Sequence, residues 1–169
     1  MSEQIVFTSP GGWLEVIETP NKFYYARRKG RDSVAVFLVD KEQNKVLIRW
    51  QPLPRDNADK GQIQQLFACP ITGSISENET PLKTAIREVE EESGYKNVEL
   101  TFIFDYLVGT QSDELVHVYY GFVDSNVITE GLQDGTYFES ISKNVWEPFE
   151  NLRTYNYAAC RLFYFKQCI

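Results

Sequence analysis

Apolar and polar positions alternate over residues 13–19 (WLEVIET), which predicts a strand, and Pro20-Asn21 then marks a turn into a return strand over residues 23–26. Residues 33–39 (SVAVFLV) are continuously apolar, as in a central strand. Lys41-Glu42-Gln43-Asn44 turns the chain into a partner over residues 45–50 (KVLIRW). A different period follows. Leu82, Ala85, Ile86 and Val89 recur at offsets of three, four and seven, predicting one helix with these four on its buried stripe. Thr80 is placed to cap its start, Pro81 suits the first helical position, and Gly94 suits the position past its end. Further strands are predicted over residues 98–108, 116–123 and 138–145, a helical segment from Pro148, and a closing helix over residues 155–167. Residues 1–12 read as a loosely held lead-in, and residues 52–65, 109–114 and 126–135 as loops. The pattern predicts an α+β fold, a mixed sheet between helices, formed as a single domain over residues 1–169.

The helix carries its chemistry on the face away from that stripe, where Glu88, Glu91 and Glu92 are expected side by side. Like charges three or four apart cost a helix ~0.2–0.5 kcal/mol per pair. Glu90, Glu91 and Glu92 also crowd the negative end of the helix dipole, while Lys83 and Arg87 lie nearer the positive end. A bound cation resolves both conflicts. Clustered carboxylates are hard oxygen ligands suited to Mg²⁺ or Mn²⁺. Arg87, four residues before Glu91, is placed to orient it. The structural alternative is a solvated acidic face.

Composition narrows the classes. The net charge of −7 argues against a nucleic-acid partner, and fits a substrate whose phosphates are bridged by metal. Cys69, Cys160 and Cys168 show neither metal-ligand spacing nor an even framework and read as reduced thiols. No basic segment followed by an apolar run opens the chain, and no apolar stretch is long enough to cross a bilayer, so a cytoplasmic location without membrane contact is expected. The short basic cluster 27–31 reads as a solvated turn, with a phosphate contact by Arg28 as its functional alternative.

The stretch 73–95 (GSISENETPLKTAIREVEEESGY) resembles the Nudix box: Gly73, five residues, Glu79, seven residues, Arg87-Glu88-Val89, one residue, Glu91-Glu92, one residue, Gly94-Tyr95. Tyr95 stands where the family usually has an aliphatic residue. The resemblance implies an α/β/α sandwich and metal-dependent hydrolysis of a nucleoside diphosphate linked to another group. The 30 residues of strand extension ahead of the domain, with residues 31–55, 112–123 and 131–141, resemble the branch that cleaves ADP-ribose and related nucleoside diphosphate sugars.

By that resemblance Glu88, Glu92 and Glu91 hold Mg²⁺, the carbonyl of Thr72 completes the site, and Arg87, paired with Glu79, orients the carboxylates. Glu114 takes the proton of the attacking water, with Asp113, Glu139 or a box glutamate as alternatives. His117 is not expected to act. Trp13 and Trp50 are candidates to stack on the base, with ordinary packing as the alternative, and Arg49 and Arg28 are candidates for substrate contact. The branch implies a homodimer whose N-terminal strands reach the partner's pocket. Cys69 stands where that branch often carries a glutamate, and Arg49-Trp50-Gln51-Pro52 replaces its usual Arg-Gln-aromatic-Arg run. Rival readings are hydrolysis of damaged nucleoside triphosphates or dinucleoside polyphosphates, and a non-catalytic nucleotide-binding regulatory module.

Overall fold

Strand β4 (Ser33–Asp40) is buried along its whole length and separates two cores. The structure is a computed structural model that describes residues 2–30, 32–53, 65–132 and 140–167. Successive β4 side chains point to opposite faces. Val34, Val36 and Leu38 pack with Ala85 and Val89 of helix α1 (Pro81–Ser93). Ala35, Phe37 and Val39 pack with Ala159, Cys160 and Phe163 of helix α2 (Ala158–Gln167). On the α2 side the rings of Phe37 and Phe163 stack with centroids 4.3 Å apart. A sheet between two helices is the expected α+β sandwich.

Around β4 the sheet is mixed. Strands β5 (Lys45–Pro52) and β7 (Ile71–Ser74) pair with it antiparallel, and β9 (Leu115–Phe122) pairs with it parallel. Strand β8 (Thr101–Leu107) flanks β9, while β5 is flanked by β6 (Leu66–Cys69) and β10 (Lys143–Pro148). Strand β4 meets β5 only at its far end, through Val39↔Val46 and Asp40↔Lys45; its near end, Ser33 to Val36, pairs with β7 instead. The expected turn at residues 41–44 closes the β4–β5 hairpin, with Asn44 at φ 52° in the left-handed region that Asn tolerates. Among the described residues, no helix is long and apolar enough to cross a membrane.

A second, three-stranded antiparallel sheet precedes this one: β1 (Gln4–Thr8), β2 (Leu14–Glu18) and β3 (Tyr24–Arg28). The expected hairpin is its β2–β3 pair, with Glu18 opposite Tyr24. Two expectations are corrected here. Residues 4–8 are a paired strand and not a loose lead-in; their exposure hid them, because no buried face imposed alternation. Arg27 and Arg28 belong to β3 and not to a solvated turn, because Asp113 and Glu114 meet them from the far side of the chain.

The predicted caps of α1 are present. The Thr80 hydroxyl accepts the Lys83 N–H at 3.3 Å, and Gly94, at φ 77°, donates its N–H to the Glu90 carbonyl at 3.0 Å. The buried stripe differs from expectation. Leu82 and Ile86 are exposed, and the helix instead buries Thr84, Ala85, Val89 and Ser93. That rotation carries Glu88 and Glu92 toward the sheet, where their side chains are only 13% and 12% exposed. Later boundaries also shift. Strand β10 starts at Lys143, a 3-10 turn spans Phe149–Thr154, and the earlier part of the strand predicted over residues 138–145 lies partly outside the described residues.

Asp40 closes the far end of β4. Its carboxylate accepts the Ser125 hydroxyl, the Gln43 N–H at 2.9 Å and the Ser125 N–H at 2.9 Å, which together hold its pKa down to about 2. A depressed carboxylate contributes stability above its unfolded value of ~3.9 and loses it as pH falls through its folded value. Asp40→Asn is therefore expected to flatten the fall in urea midpoint between pH 4 and 2. An unchanged acid limb in the variant would assign that limb to other carboxylates.

Candidate active site

Arg87 is the hub of the helix carboxylates. Its Nη1 lies 2.8 Å from Glu88 Oε1 and 2.8 Å from Glu91 Oε2, while Nε and Nη2 reach Glu79 at 3.3 and 3.2 Å. Glu79 is also held by the Thr84 hydroxyl at 2.9 Å. The Arg87 guanidinium, helped by Thr84, keeps the Glu79 carboxyl below its ordinary range. Glu88 is different: burial pushes its pKa up, against the pull of Arg87. The helix needs a gap in the sheet to take this side chain. Gly73 of β7 supplies it, because a Cβ there would run into the Glu88 carboxyl group. Thr72, whose carbonyl was expected at the site, precedes Gly73 on β7 and pairs with Ala35.

Glu92 turns the other way, toward Arg49 on β5, whose Nε lies 3.2 Å from Glu92 Oε1. Arg49 is only 7% exposed and sits beside Asn144, which donates its amide to the Glu92 carbonyl at 2.7 Å. Arg49, Lys143 and Asn144 line a cleft of about 200 Å³ with Glu91 and Glu92. Cys69, the register partner of Arg49, is fully buried. Burial holds its thiol protonated, with a pKa pushed up to about 12, so it is neither a nucleophile nor a thiolate ligand at neutral pH.

Glu114 lies in a second cluster. Its Oε1 accepts Arg28 Nη2 at 2.6 Å and the Ser33 hydroxyl at 2.6 Å. Ser33 pairs with Ser74 on β7, next to Gly73, so this cluster stands one strand away from the gap that receives Glu88. Asp113 meets Arg27 at 3.0 Å, and the Ala26 backbone brackets the same loop, donating to the Gln111 carbonyl at 2.9 Å. Glu139, an alternative base, lies outside the described residues. His117 pairs with Asp105 across β8 and β9 at 2.6 Å.

The two tryptophans occupy different clefts. Trp13 is 61% exposed, with Lys29 Nζ 5.0 Å from its ring centroid, and lines a cleft of about 630 Å³ with Ser74 and Ile75. Trp50 lines one of about 480 Å³ with Phe67, Tyr155 and Tyr157. Its indole donates to Glu147 at 3.2 Å, Glu147 is held by Asn151 at 2.9 Å, and the Tyr155 ring stands at 81° to it. Ser33, Asn144 and Tyr155 escaped the sequence reading because their partners come from distant strands.

Among the described residues no three His, Cys, Asp or Glu side chains converge closely enough to hold a metal as they stand. The donor chemistry nonetheless fits a divalent cation. Glu88 and Glu91 already converge on one positive atom, Arg87 Nη1, and Gly73 keeps a sheltered slot for one of them.

The fold is a carboxylate helix docked through a glycine gap onto a mixed sheet between two helices, and sequence comparison supplies its family. The NUDIX domain family model matches residues 29–164, most of the chain, and the chain belongs to that family. It is accordingly a pyrophosphohydrolase of nucleoside diphosphate derivatives, acting on a nucleotide-derived small molecule. Strands β1–β3 lie ahead of the matched residues. No curated protein matches the chain.

Proposed function

We propose that this protein hydrolyses the pyrophosphate bond of ADP-ribose or a related nucleoside diphosphate sugar, releasing a nucleoside monophosphate and a sugar phosphate. The observation that carries this reading is the N-terminal sheet. Its strand β3 holds the loop that bears Glu114, the base in this reading. An extension of this kind belongs to the branch that the sequence resembles.

Glu88, Glu91, Glu92 and the Thr72 carbonyl are the residues that would hold Mg²⁺ or Mn²⁺. When bound, the ion supplies neutralising charge to the diphosphate and a more acidic water. Arg87 orients the carboxylates through the contacts described above. Glu114 accepts the water proton. Arg49 holds Glu92 and faces the cleft beside it, where a phosphate oxygen can reach it. Trp50, fixed through Glu147, offers a rigid surface for a base, and Trp13 offers an exposed one. In this reading the protein works in the cytoplasm as a homodimer, which buries the exposed Ile5, Phe7 and Phe23 of the N-terminal sheet region.

The test is a Mg²⁺-dependent screen over ADP-ribose, other nucleoside diphosphate sugars, dinucleoside polyphosphates and nucleoside triphosphates. A nucleoside diphosphate sugar is expected to show the largest kcat/KM. Faster turnover of triphosphates would overturn the substrate class, and binding without turnover at any metal concentration would favour a regulatory module.

Gly73→Ala probes the slot directly. The added methyl displaces Glu88, and the loss of its support is expected to lower metal affinity or activity roughly 10–100-fold. Titration of activity with Mg²⁺ reads the effect. A wild-type curve would show that Glu88 has room to adjust.

A further inference from the structure

The connection between β3 and β4 is short, and three of its residues converge on one place. Arg28 ends β3 and Ser33 begins β4. Both donate to Glu114, and both bonds fall on the same oxygen, Oε1. Between them, Asp32 accepts the N–H of Leu115, the residue after Glu114, at 3.1 Å. The Asp32 carbonyl accepts the Ile75 N–H at 3.0 Å, two residues beyond Gly73. Gly30, at φ 77°, makes the tight turn possible, and a Cβ there would stand 2.8 Å from the Ile75 carbonyl oxygen. The turn thus touches the Glu114 loop on one side and the strand leading into the carboxylate helix on the other.

We infer that Arg28 and Ser33 are positioning residues for Glu114, and that the β3–β4 turn sets the distance and angle between this carboxylate and the helix glutamates. This rests on the reading of Glu114 as the base. Two charge-assisted bonds on Oε1 fix the carboxylate plane and leave Oε2 as the oxygen that accepts a proton. A base acts only within hydrogen-bond reach of the proton it takes, and a 1 Å misplacement can cost a rate ~10²-fold. The surrounding bonds supply the rigidity that such placement needs. Ala26 brackets the loop through its N–H and its carbonyl, and Arg27 holds Asp113 at 3.0 Å. Arg28 was a candidate for phosphate contact. In the structure its Nη2 is engaged with Glu114, which sets Arg28 beside the proposed base.

The experiment compares Arg28→Ala, Arg28→Lys, Ser33→Ala, Glu114→Gln and Arg28→Ala/Glu114→Gln in the full chain with Mg²⁺. The substrate is ADP-ribose, or the fastest compound of the screen if another is preferred. Arg28→Ala is expected to lower kcat roughly 10–100-fold. KM should stay within about threefold, because a positioning residue makes no substrate contact. Added guanidinium ion should restore part of the rate, Arg28→Lys should retain more of it, and Ser33→Ala should fall less than Arg28→Ala. The double variant should be no slower than Glu114→Gln alone, since the two residues act as a unit.

Failures of the two readings separate. A fully active Glu114→Gln removes the base assignment and this inference together. An inactive Glu114→Gln beside an unaffected Arg28→Ala, or multiplying effects in the double variant, overturns the positioning role alone. A rise in KM without change in kcat would make Arg28 a substrate contact after all.

Discussion

Glu88→Gln is expected to abolish most of the activity while leaving the fold as stable as before or more so. Its carboxyl is pushed into the gap left by Gly73, and burial raises its pKa from the ordinary 4.5. A raised carboxylate pKa means that the folded state holds the proton more tightly than the unfolded chain. The penalty is absent at acid pH, appears as pH rises from the unfolded value to the folded one, and is complete at neutral pH. An amide carries no such penalty. The same change removes a negative charge where the proposed chemistry needs one, so kcat/KM is expected to fall ~10²–10⁴-fold. Thermal unfolding and Mg²⁺-dependent hydrolysis, measured on one preparation, check both halves. Loss of stability beside retained activity would show that Glu88 serves the fold through Arg87 and not the reaction. Trading stability for charge is a common feature of working sites.

Arg49→Met is expected to give the largest loss of stability. Arg49 and Glu92 are 9% and 12% exposed in their side chains and face each other at 3.2 Å. Removing one partner of a buried pair weakens the support of the other charge, which costs up to ~3–5 kcal/mol, or roughly 6–20 °C in Tm for a chain of this size. Replacing both, as Arg49→Met/Glu92→Leu, is expected to recover much of that stability without recovering activity. Calorimetry on the two variants decides the point. A drop of under about 1 kcal/mol for Arg49→Met would show that water or another neighbouring group relieves the carboxylate, as at an exposed pair.

These two glutamates also mark the limit of what the sequence reveals. The helix itself was legible, because Thr80, Pro81 and Gly94 are punctuation that acts locally. Its orientation was not. Counting apolar residues placed Leu82 and Ile86 inside, whereas the helix turns its glutamates inward onto a glycine gap and an arginine from two different strands. Tertiary partners overrode the local pattern. The β4–β5 hairpin was legible for the opposite reason: its apolar run and polar turn are both local.

The N-terminal region shows the same division. The β2–β3 hairpin alternates, and it was found. Strand β1 is exposed throughout and left no such trace. Arg27 and Arg28 read as a solvated cluster because Asp113 and Glu114, which neutralise them, lie 86 residues further along. The box spacing specifies Glu79, Arg87, Glu88 and Glu91, and the structure brings these four together. It could not specify that Glu92 turns away to Arg49.

Strand β4 works as a ruler for all of this. Its even-numbered residues serve one helix and its odd-numbered residues the other, while Ser33 at its start touches Glu114. Slipping by one residue would therefore exchange the two interiors and pull the serine away from the carboxylate in the same movement. A chain mispaired in this way would lose both interiors and the Ser33–Glu114 bond together, so one register secures the cores and the placement of this carboxylate alike.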